Sequence, residues 1–425
     1  MPTVNLEKMT YGIDALGHID GKVVFVPYGV PQDQAEIEIT ETKTDYMRGE
    51  IRSITASSPL RQKSPCPNFP ACGGCHWLHM KSETQRREKE GYLHYLLTPL
   101  SPRNVYPIEP LSAERYRNKM ELKIALDANG KVILGNYKFH SHDVVDITGC
   151  IVQCPENMKM HAAFSRLLNE DALREHATNI ESIGVRTLGA QQHALISVKT
   201  PPGEEIVNHY RDFFQAQESL SRLELSAGDT SFLTLMRDKP PFEFIRRSWT
   251  VSPRSFFQNN LEGAEAIYYT LQSLYDGPPQ KGKFIDLYCG VGIQTMMLEH
   301  MFEEAVGVES NMDSCNDAIR NQRGKRQQQI HFFARKAESI FGTQITRGTL
   351  SALHMNPPRT GASQRVIRGL AGVKPRMITY LSCNPMTFRR DAMAISNMGY
   401  HLNEVYAFDL FPGTFHLEIL ASFTR

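Results

Sequence analysis

The chain has 425 residues, 41% apolar and 22% charged, with a formal net charge of +1. That length exceeds one ordinary domain, so two or three are expected. No stretch approaches the roughly 20 apolar residues of a membrane span, and the first residues lack the basic–apolar–small order of a signal peptide, so a cytoplasmic protein without membrane contact is expected. Eight cysteines, three of them clustered at 66, 72 and 75, are too few and too uneven for a disulfide scaffold.

The first segment, 1–58, reads as short strands. "ALGHIDGKVVFVPY" sets Asp20-Gly21 between two strand-like runs, a two-residue hairpin signal. "AEIEITETK" alternates apolar and polar residues, and "YMRGEIRSI" follows as another strand. Four or five short strands in this span predict a small β-barrel of the nucleic-acid-binding kind. Residues 1–60 carry five Lys/Arg against nine Asp/Glu, which argues against a strong electrostatic grip by this module alone. "TASSPLRQKSP" reads as a linker.

From 59 to 248 the pattern is mixed α+β, with a polar helix around "KSETQRREKEGYLHYLLTPL" and strands such as "NKMELKIAL" and "VILGNYKF". Part of 78–110 is expected against the domain that follows. Residues 61–123 reverse the charge, with eleven Lys/Arg against six Asp/Glu. The run "RYRNK" offers Arg115, Arg117 and Lys119 with an aromatic ring, a composition suited to phosphates and bases; a solvated charged strand is the competing reading. "CPNFPACGGC" spaces Cys66, Cys72 and Cys75, and Gly73-Gly74 permits the tight wrap that two ligands three apart require. With Cys150 as a fourth thiolate, such a set holds zinc or an iron–sulfur cluster, and spacing alone leaves these even. Cys154 is an alternative fourth ligand.

From about residue 249 strands and helices alternate to 425, predicting a doubly wound α/β domain with its ligands at the carboxyl ends of the strands. "DLYCGVGIQT" places Gly290 and Gly292 after a strand, where backbone can approach a ligand. Glu309 ends the next strand in "VGVES", 23 residues after Asp286, where an acid accepts from ribose hydroxyls. The third glycine of a dinucleotide fingerprint and the lysine of a phosphate loop are both missing, which favours S-adenosylmethionine over NAD. "MNPPRTG" fixes a rigid turn with Asn356 at a strand tip, bracketed by Arg359. "YLSCNPMTFRRD" sets Cys383 between an apolar run and Asn384-Pro385; an inert buried thiol and a nucleophile compete for it. Arg389-Arg390 beyond it either meet RNA or face water.

Together "SPRSFFQNN", "DLYCGVGIQT", "NPPRTG", "YLSCNP" and "FPGTFHLE" resemble the RNA uracil-5-methyltransferases, S-adenosylmethionine enzymes that modify ribosomal and transfer RNA. The N-terminal barrel, TRAM-like in that family, and the cysteine cluster match as well. The resemblance implies a Rossmann-like methyltransferase domain in which Cys383 is the nucleophile and Glu418, in "HLEIL", the base. Gln258, Tyr288 and Glu309 would contact the methyl donor with the Gly290–Gly292 loop, and Asn356 would lie between donor and target base. The resemblance favours a [4Fe–4S] cluster on Cys66, Cys72, Cys75 and Cys150. Phe411, Pro412 and Phe256 are candidates for shaping the pocket of a flipped base. The family generally has aspartate where Asn356 stands and an aspartate where "FFARKAES" has Lys336, departures that bear on donor affinity.

The chemistry accounts for this kit. Carbon 5 of uracil is a poor nucleophile until a thiolate adds at carbon 6, and a base must then remove the carbon-5 proton so that the thiol can leave. The expectation is a monomeric enzyme that methylates a uridine of 23S ribosomal RNA. Transfer RNA as substrate, and a non-catalytic RNA-binding or assembly factor, are the alternatives.

Overall fold

The computed structural model describes residues 1–278, 280–322 and 329–425. The first five strands, β1 (Thr3–Met9), β2 (Asp14–Ile19), β3 (Lys22–Pro27), β4 (Gln34–Thr42) and β5 (Tyr46–Ala56), close a barrel in the order β1-β2-β3-β5-β4. Asp20 and Gly21 both have positive φ, 48° and 77°, the conformation that matches a two-residue turn to the twist of its strands. Alternation along β1 and β4 turns Val4, Leu6, Ala35 and Ile37 into the barrel core. The expected linker after β5 is not loose: Ser58 N donates to Asp33 Oδ1 at 2.9 Å and Arg61 pairs with Asp33. A buried carboxylate demands such partners, and it recruits them from this segment.

The chain continues through α1 (Ser82–Leu97) and β6 (Asn104–Val105) to β7 (Lys119–Leu126), β8 (Val132–Tyr137) and β9 (Val144–Asp146). After α2 (Pro155–Leu168) and α3 (Asp171–Arg174) come β10 (Ile180–Leu188), β11 (Gln191–Val198), α4 (Glu204–Ala216), β12 (Leu220–Ala227) and β13 (Thr230–Met236). These form a sheet ordered β13-β12-β11-β10-β7-β8-β9. One face is apolar, with Leu122, Ile183, Val185, Ile196 and Leu223 in a core shared with Phe164 of α2 and Phe213 of α4.

A hairpin of β14 (Phe242–Phe244) and β15 (Arg247–Trp249) precedes the last domain. There α5 (Leu261–Ser273), β16 (Gln280–Leu287), α6 (Ile293–Leu298), β17 (Phe302–Glu309), α7 (Met312–Asn321), β18 (Ile330–Ala334), β19 (Leu350–Met355), α8 (Gln364–Val373), β20 (Met377–Ser382), α9 (Pro385–Ser396), β21 (His401–Phe408) and β22 (Glu418–Thr424) alternate. The sheet order is β18-β17-β16-β19-β20-β22-β21-β6. Strands β16 to β20 pair in parallel, whereas β22 runs antiparallel between β20 and β21. Apart from the edge strand β18, the parallel strands are largely buried on both faces, and β19 is buried at every position.

By packing the chain forms two units. One comprises Met1–Tyr92, Ser112–Pro240 and Phe411–Phe415; the other comprises Leu93–Leu111, Pro241–Leu410 and His416–Arg425. The barrel core and the apolar face of the β7–β13 sheet are separate clusters within the first. No helix among the described residues is long and apolar enough to cross a membrane.

Candidate active site and cysteine pocket

The parallel strands deliver their carboxyl ends to one edge of the sheet. Tyr288 follows β16, Glu309 ends β17, Asn356 follows β19 and Cys383 follows β20. An antiparallel neighbour begins where its partner ends, and the pairing Ser382↔Ile419 sets Glu418, the first residue of β22, beside Cys383. Sequence distance is thereby erased by strand direction.

Cys383 is half-buried, and its thiol is pushed up to about 11 by burial and by the Glu418 carboxylate. Arg359 opposes both effects, since its positive charge favours the Cys383 thiolate. Glu418 is 4% exposed, and burial lifts its carboxyl to about 8 against the same Arg359 charge. A thiol and a carboxyl thus share one cation. The sequence marked Arg359 only as a bracket of the Pro-Pro turn; its place between nucleophile and base is not encoded in local pattern.

Two loops hold this trio. Asn384 caps α9 by accepting from Met386 N at 3.0 Å, with Pro385 at the first helical position. The Asn384 amide and the Thr387 hydroxyl both donate to Arg359 O, at 3.1 and 3.3 Å, locking the Arg359 backbone to the Cys383 turn. Arg390, exposed on its outer side, donates to Asp391 Oδ1, Thr360 O and Ala362 O. Asp391 also accepts from Tyr380 Oη at 2.7 Å and Ala362 N at 2.8 Å. Arg390 therefore ties α9 to the Pro-Pro-Arg loop.

The donor-side residues meet around the glycine loop. Gly290 (φ 56°) and Gly292 (φ 86°) occupy left-handed backbone, as does Tyr288 (φ 63°). A Cβ on Gly290 would meet only Phe256 O at 4.0 Å, leaving space above the loop, whereas one on Gly292 would strike Phe332 at 2.8 Å. Glu309 accepts from Gly290 N at 3.1 Å and Asn311 N at 2.7 Å, which fixes its carboxylate at the strand tip. Asp286 lies beneath, accepting from Thr295 Oγ1 at 2.6 Å, and burial raises its carboxyl to about 7. Asn356 is half-buried with its N–H on Leu287 O at 3.3 Å. Gln258 is buried in a loop secured by Asp317, which accepts from Ser252 N, Ser252 Oγ and Ser255 Oγ. Phe256 in that loop is 61% exposed. Lys336 is exposed and its carbonyl accepts from Ser339.

In the first unit, Cys66, Cys72, Cys75 and Cys150 line one pocket with Phe69, Leu78, Ile147, Arg117 and Asn136. Cys154 does not line it. Burial pushes the Cys75 thiol up to about 12, reinforced by the charges of Cys150, Cys72 and Cys66 and relieved by Arg117. Gly74 N and Asn136 Nδ2 point at Cys72 Sγ, at 3.4 and 3.5 Å, and backbone N–H groups of Val152 and Gln153 favour the Cys150 thiolate. The Gly73 requirement is physical, since a Cβ there would lie 2.7 Å from Tyr137 O. Among the described residues no three His, Cys, Asp or Glu side chains close to ligand spacing. The pocket and the donors aimed at sulfur nevertheless suit thiolate ligands.

The "RYRNK" run is more committed than its composition suggests. Arg117 lines the cysteine pocket and docks its backbone on Val152 O and Cys154 N. Tyr116 Oη donates to Pro412 O at 3.2 Å. Lys119 is half-buried, with its ammonium pushed down by burial and by Arg186. Arg115 is exposed, with φ 55°.

Residues 251–423 match the family model described as tRNA (Uracil-5-)-methyltransferase, and residues 3–51 match the TRAM domain. An uncharacterized RNA methyltransferase of Halalkalibacterium halodurans is 26% identical over 98% of this chain and 95% of its own length. The 23S rRNA (uracil(1939)-C(5))-methyltransferase RlmD of Shewanella sp. ANA-3 is likewise 26% identical, over 98% of this chain and 95% of that protein. Among solved structures, Pyrococcus abyssi tRNA (uracil-54, C5)-methyltransferase with S-adenosyl-L-homocysteine aligns over 100% of both chains, with a TM-score of 0.75 and 20% identity. That likeness is one of fold.

Proposed function

We propose that this chain, whose residues 251–423 match the tRNA (Uracil-5-)-methyltransferase model and residues 3–51 the TRAM domain, methylates carbon 5 of a uridine in 23S ribosomal RNA, in the cytoplasm. The observation that carries the reading is the Cys383–Arg359–Glu418 trio at one sheet edge. Relatives named as 23S rRNA enzymes support the substrate.

S-adenosylmethionine, when bound, would supply an electrophilic methyl group carried on a sulfonium whose leaving group is a neutral thioether. The Gly290–Gly292 loop, Glu309, Tyr288, Gln258 and Asn356 would hold it, and the open space over Gly290 fits a ligand there. Cys383 gives its proton to solvent, Arg359 lowers the cost of the resulting thiolate, and the sulfur bonds to carbon 6 of uracil while the ring electrons shift to the enolate. Carbon 5 then takes the methyl group. Glu418, in the carboxylate form that Arg359 favours, accepts the carbon-5 proton, the C5=C6 bond re-forms, and the sulfur–carbon bond breaks to release the thiolate.

The cysteine pocket fits a [4Fe–4S] cluster on Cys66, Cys72, Cys75 and Cys150, with Arg117 as counter-charge. Uracil methylation consumes no electron, so its role is structural. Arg115 is the member of the basic run best exposed for a phosphate.

The test uses 23S rRNA and tRNA transcripts containing 5-fluorouracil, whose carbon 5 has no proton to give up. A denaturation-stable adduct should form with rRNA and donor, and disappear in Cys383→Ala. An adduct on tRNA alone rejects the ribosomal substrate, and an adduct in Cys383→Ala rejects the nucleophile.

A further inference from the structure

Within the second unit, the loop between β15 and α5 carries the buried Gln258 and the exposed Phe256. It lies across from the glycine loop, since a Cβ on Gly290 would have Phe256 O at 4.0 Å as its nearest neighbour. The two loops are thus walls of the space assigned to the methyl donor. Two buried side chains of α7 hold the first wall. Asp317 accepts from Ser252 and Ser255. Asn321, one turn further along the same helix face, is 5% exposed. Its Oδ1 accepts from Thr250 N at 2.7 Å, and its Nδ2 donates to Thr250 O at 3.0 Å and to Val291 O at 3.3 Å.

A primary amide carries two N–H donors on one nitrogen and an acceptor beside them, and here all three are used. Its acceptor and one donor close on both backbone polar groups of Thr250. The second donor goes to Val291, the residue between Gly290 and Gly292. The glycine loop engages its own N–H groups elsewhere, Gly290 N on Glu309 and Gly292 N on Cys289 O, which leaves the Val291 carbonyl for Asn321. Asp317 fastens the first wall to the helix; Asn321 fastens it to the second wall as well. At the other end of the loop Phe257 packs 5.5 and 5.7 Å from the Phe242 and Phe244 rings, an anchor that makes no reference to the glycine loop. The spacing of the two walls therefore rests on one buried amide.

We propose that Asn321 is a positioning residue for methyl-donor binding, which sets the loop that carries Phe256 and Gln258 at a fixed distance from the glycine loop. The inference rests on those two loops being the donor site. Walls already in place need no ordering when a ligand arrives, whereas a released wall must be ordered by the ligand itself, at the expense of affinity. Cys383, Arg359 and Glu418 stand on other elements and are unaffected once the donor is seated. Loss of the amide should therefore weaken donor binding and spare turnover at saturating donor. General destabilisation has the opposite signature, because it removes active molecules and lowers kcat without changing KM.

The experiment compares full-length wild type, Asn321→Asp and Asn321→Leu. Asn321→Asp keeps the acceptor for Thr250 N and lacks the two donated hydrogens; Asn321→Leu lacks all three contacts. S-adenosylhomocysteine is titrated by calorimetry without RNA, and donor KM and kcat are measured on the RNA transcript that wild type methylates. In each variant that melts cooperatively, the Kd for S-adenosylhomocysteine and the donor KM should both rise at least fivefold, with kcat within twofold of wild type. A smaller rise in either variant overturns the proposal, as does a fall in kcat larger than the rise in KM. Loss of cooperative melting in both variants overturns it too, since Asn321 would then hold the fold rather than the gap. Wild type that does not bind S-adenosylhomocysteine rejects the donor-site reading instead, before the variants are compared.

Discussion

Cys383 and Glu418 are each unfavourable alone, since burial holds the thiol near 11 and the carboxyl near 8. Such upward shifts make a protonated resting state at neutral pH, from which Arg359 eases both ionisations. Glu418→Gln keeps size and hydrogen bonding but cannot take a proton. Turnover should fall about 10²- to 10⁴-fold while the adduct with ordinary RNA accumulates, as read by denaturing gels. The same shift has a stability consequence with a definite sign. A carboxyl whose folded value is raised contributes stability that is complete below its unfolded value of 4.5 and lost as pH rises through about 8. The melting temperature of wild type should therefore drop as pH rises from 4.5 to about 8, whereas Glu418→Gln should hold or lose less. A parallel drop in both proteins would reject the raised carboxyl. Cys383 was readable as a candidate from its neighbours, and Glu418 through the family pattern. Arg359 as shared counter-ion was not, because its role depends on β22 running against β20.

At the level of elements, alternation of strand and helix after residue 249 was plain, since parallel strands need apolar runs and helical crossovers. The glycine loop was readable too, but the unequal work of its two glycines was not. Gly292→Ala should destabilise the fold by about 1–3 kcal/mol, combining left-handed backbone with a clash at Phe332. Gly290→Ala meets open space, so its cost should be confined to about 1 kcal/mol of backbone strain. Its larger effect should be a raised KM for the methyl donor, because the methyl fills room above the loop. Thermal melts and donor titration separate the two; equal melts and equal KM values for both variants would reject the assignment. The segment after β5 has the composition of a linker, and that composition does not reveal that it is pinned to the buried carboxylate of Asp33, between β3 and β4. Composition left the run from Arg115 to Lys119 open between RNA and solvent, and the intramolecular tasks of Tyr116 and Arg117 are revealed only by long-range packing.

Across the whole molecule, the barrel was legible from its hairpin and alternation, whereas the packing partition was not. Units assembled from separated stretches leave no composition shift at their joins, as at Tyr92–Leu93 within α1. The cysteine pocket sharpens one choice the spacing left open. Anaerobically purified protein should contain iron and labile sulfide. Cys150→Ala should lose them, and Cys154→Ala should retain them, by iron and sulfide assay and visible absorbance. Retention in Cys150→Ala, or zinc in place of iron, would reject the assignment.

The direction of β22 carries a further consequence. Cys383 follows one strand and Glu418 opens the strand beside it, so the approach of the two side chains is a matter of register alone. A slip of one residue in that pairing would turn Glu418 to the opposite face of the sheet. The site is in this sense written in pairing, not in spacing along the chain.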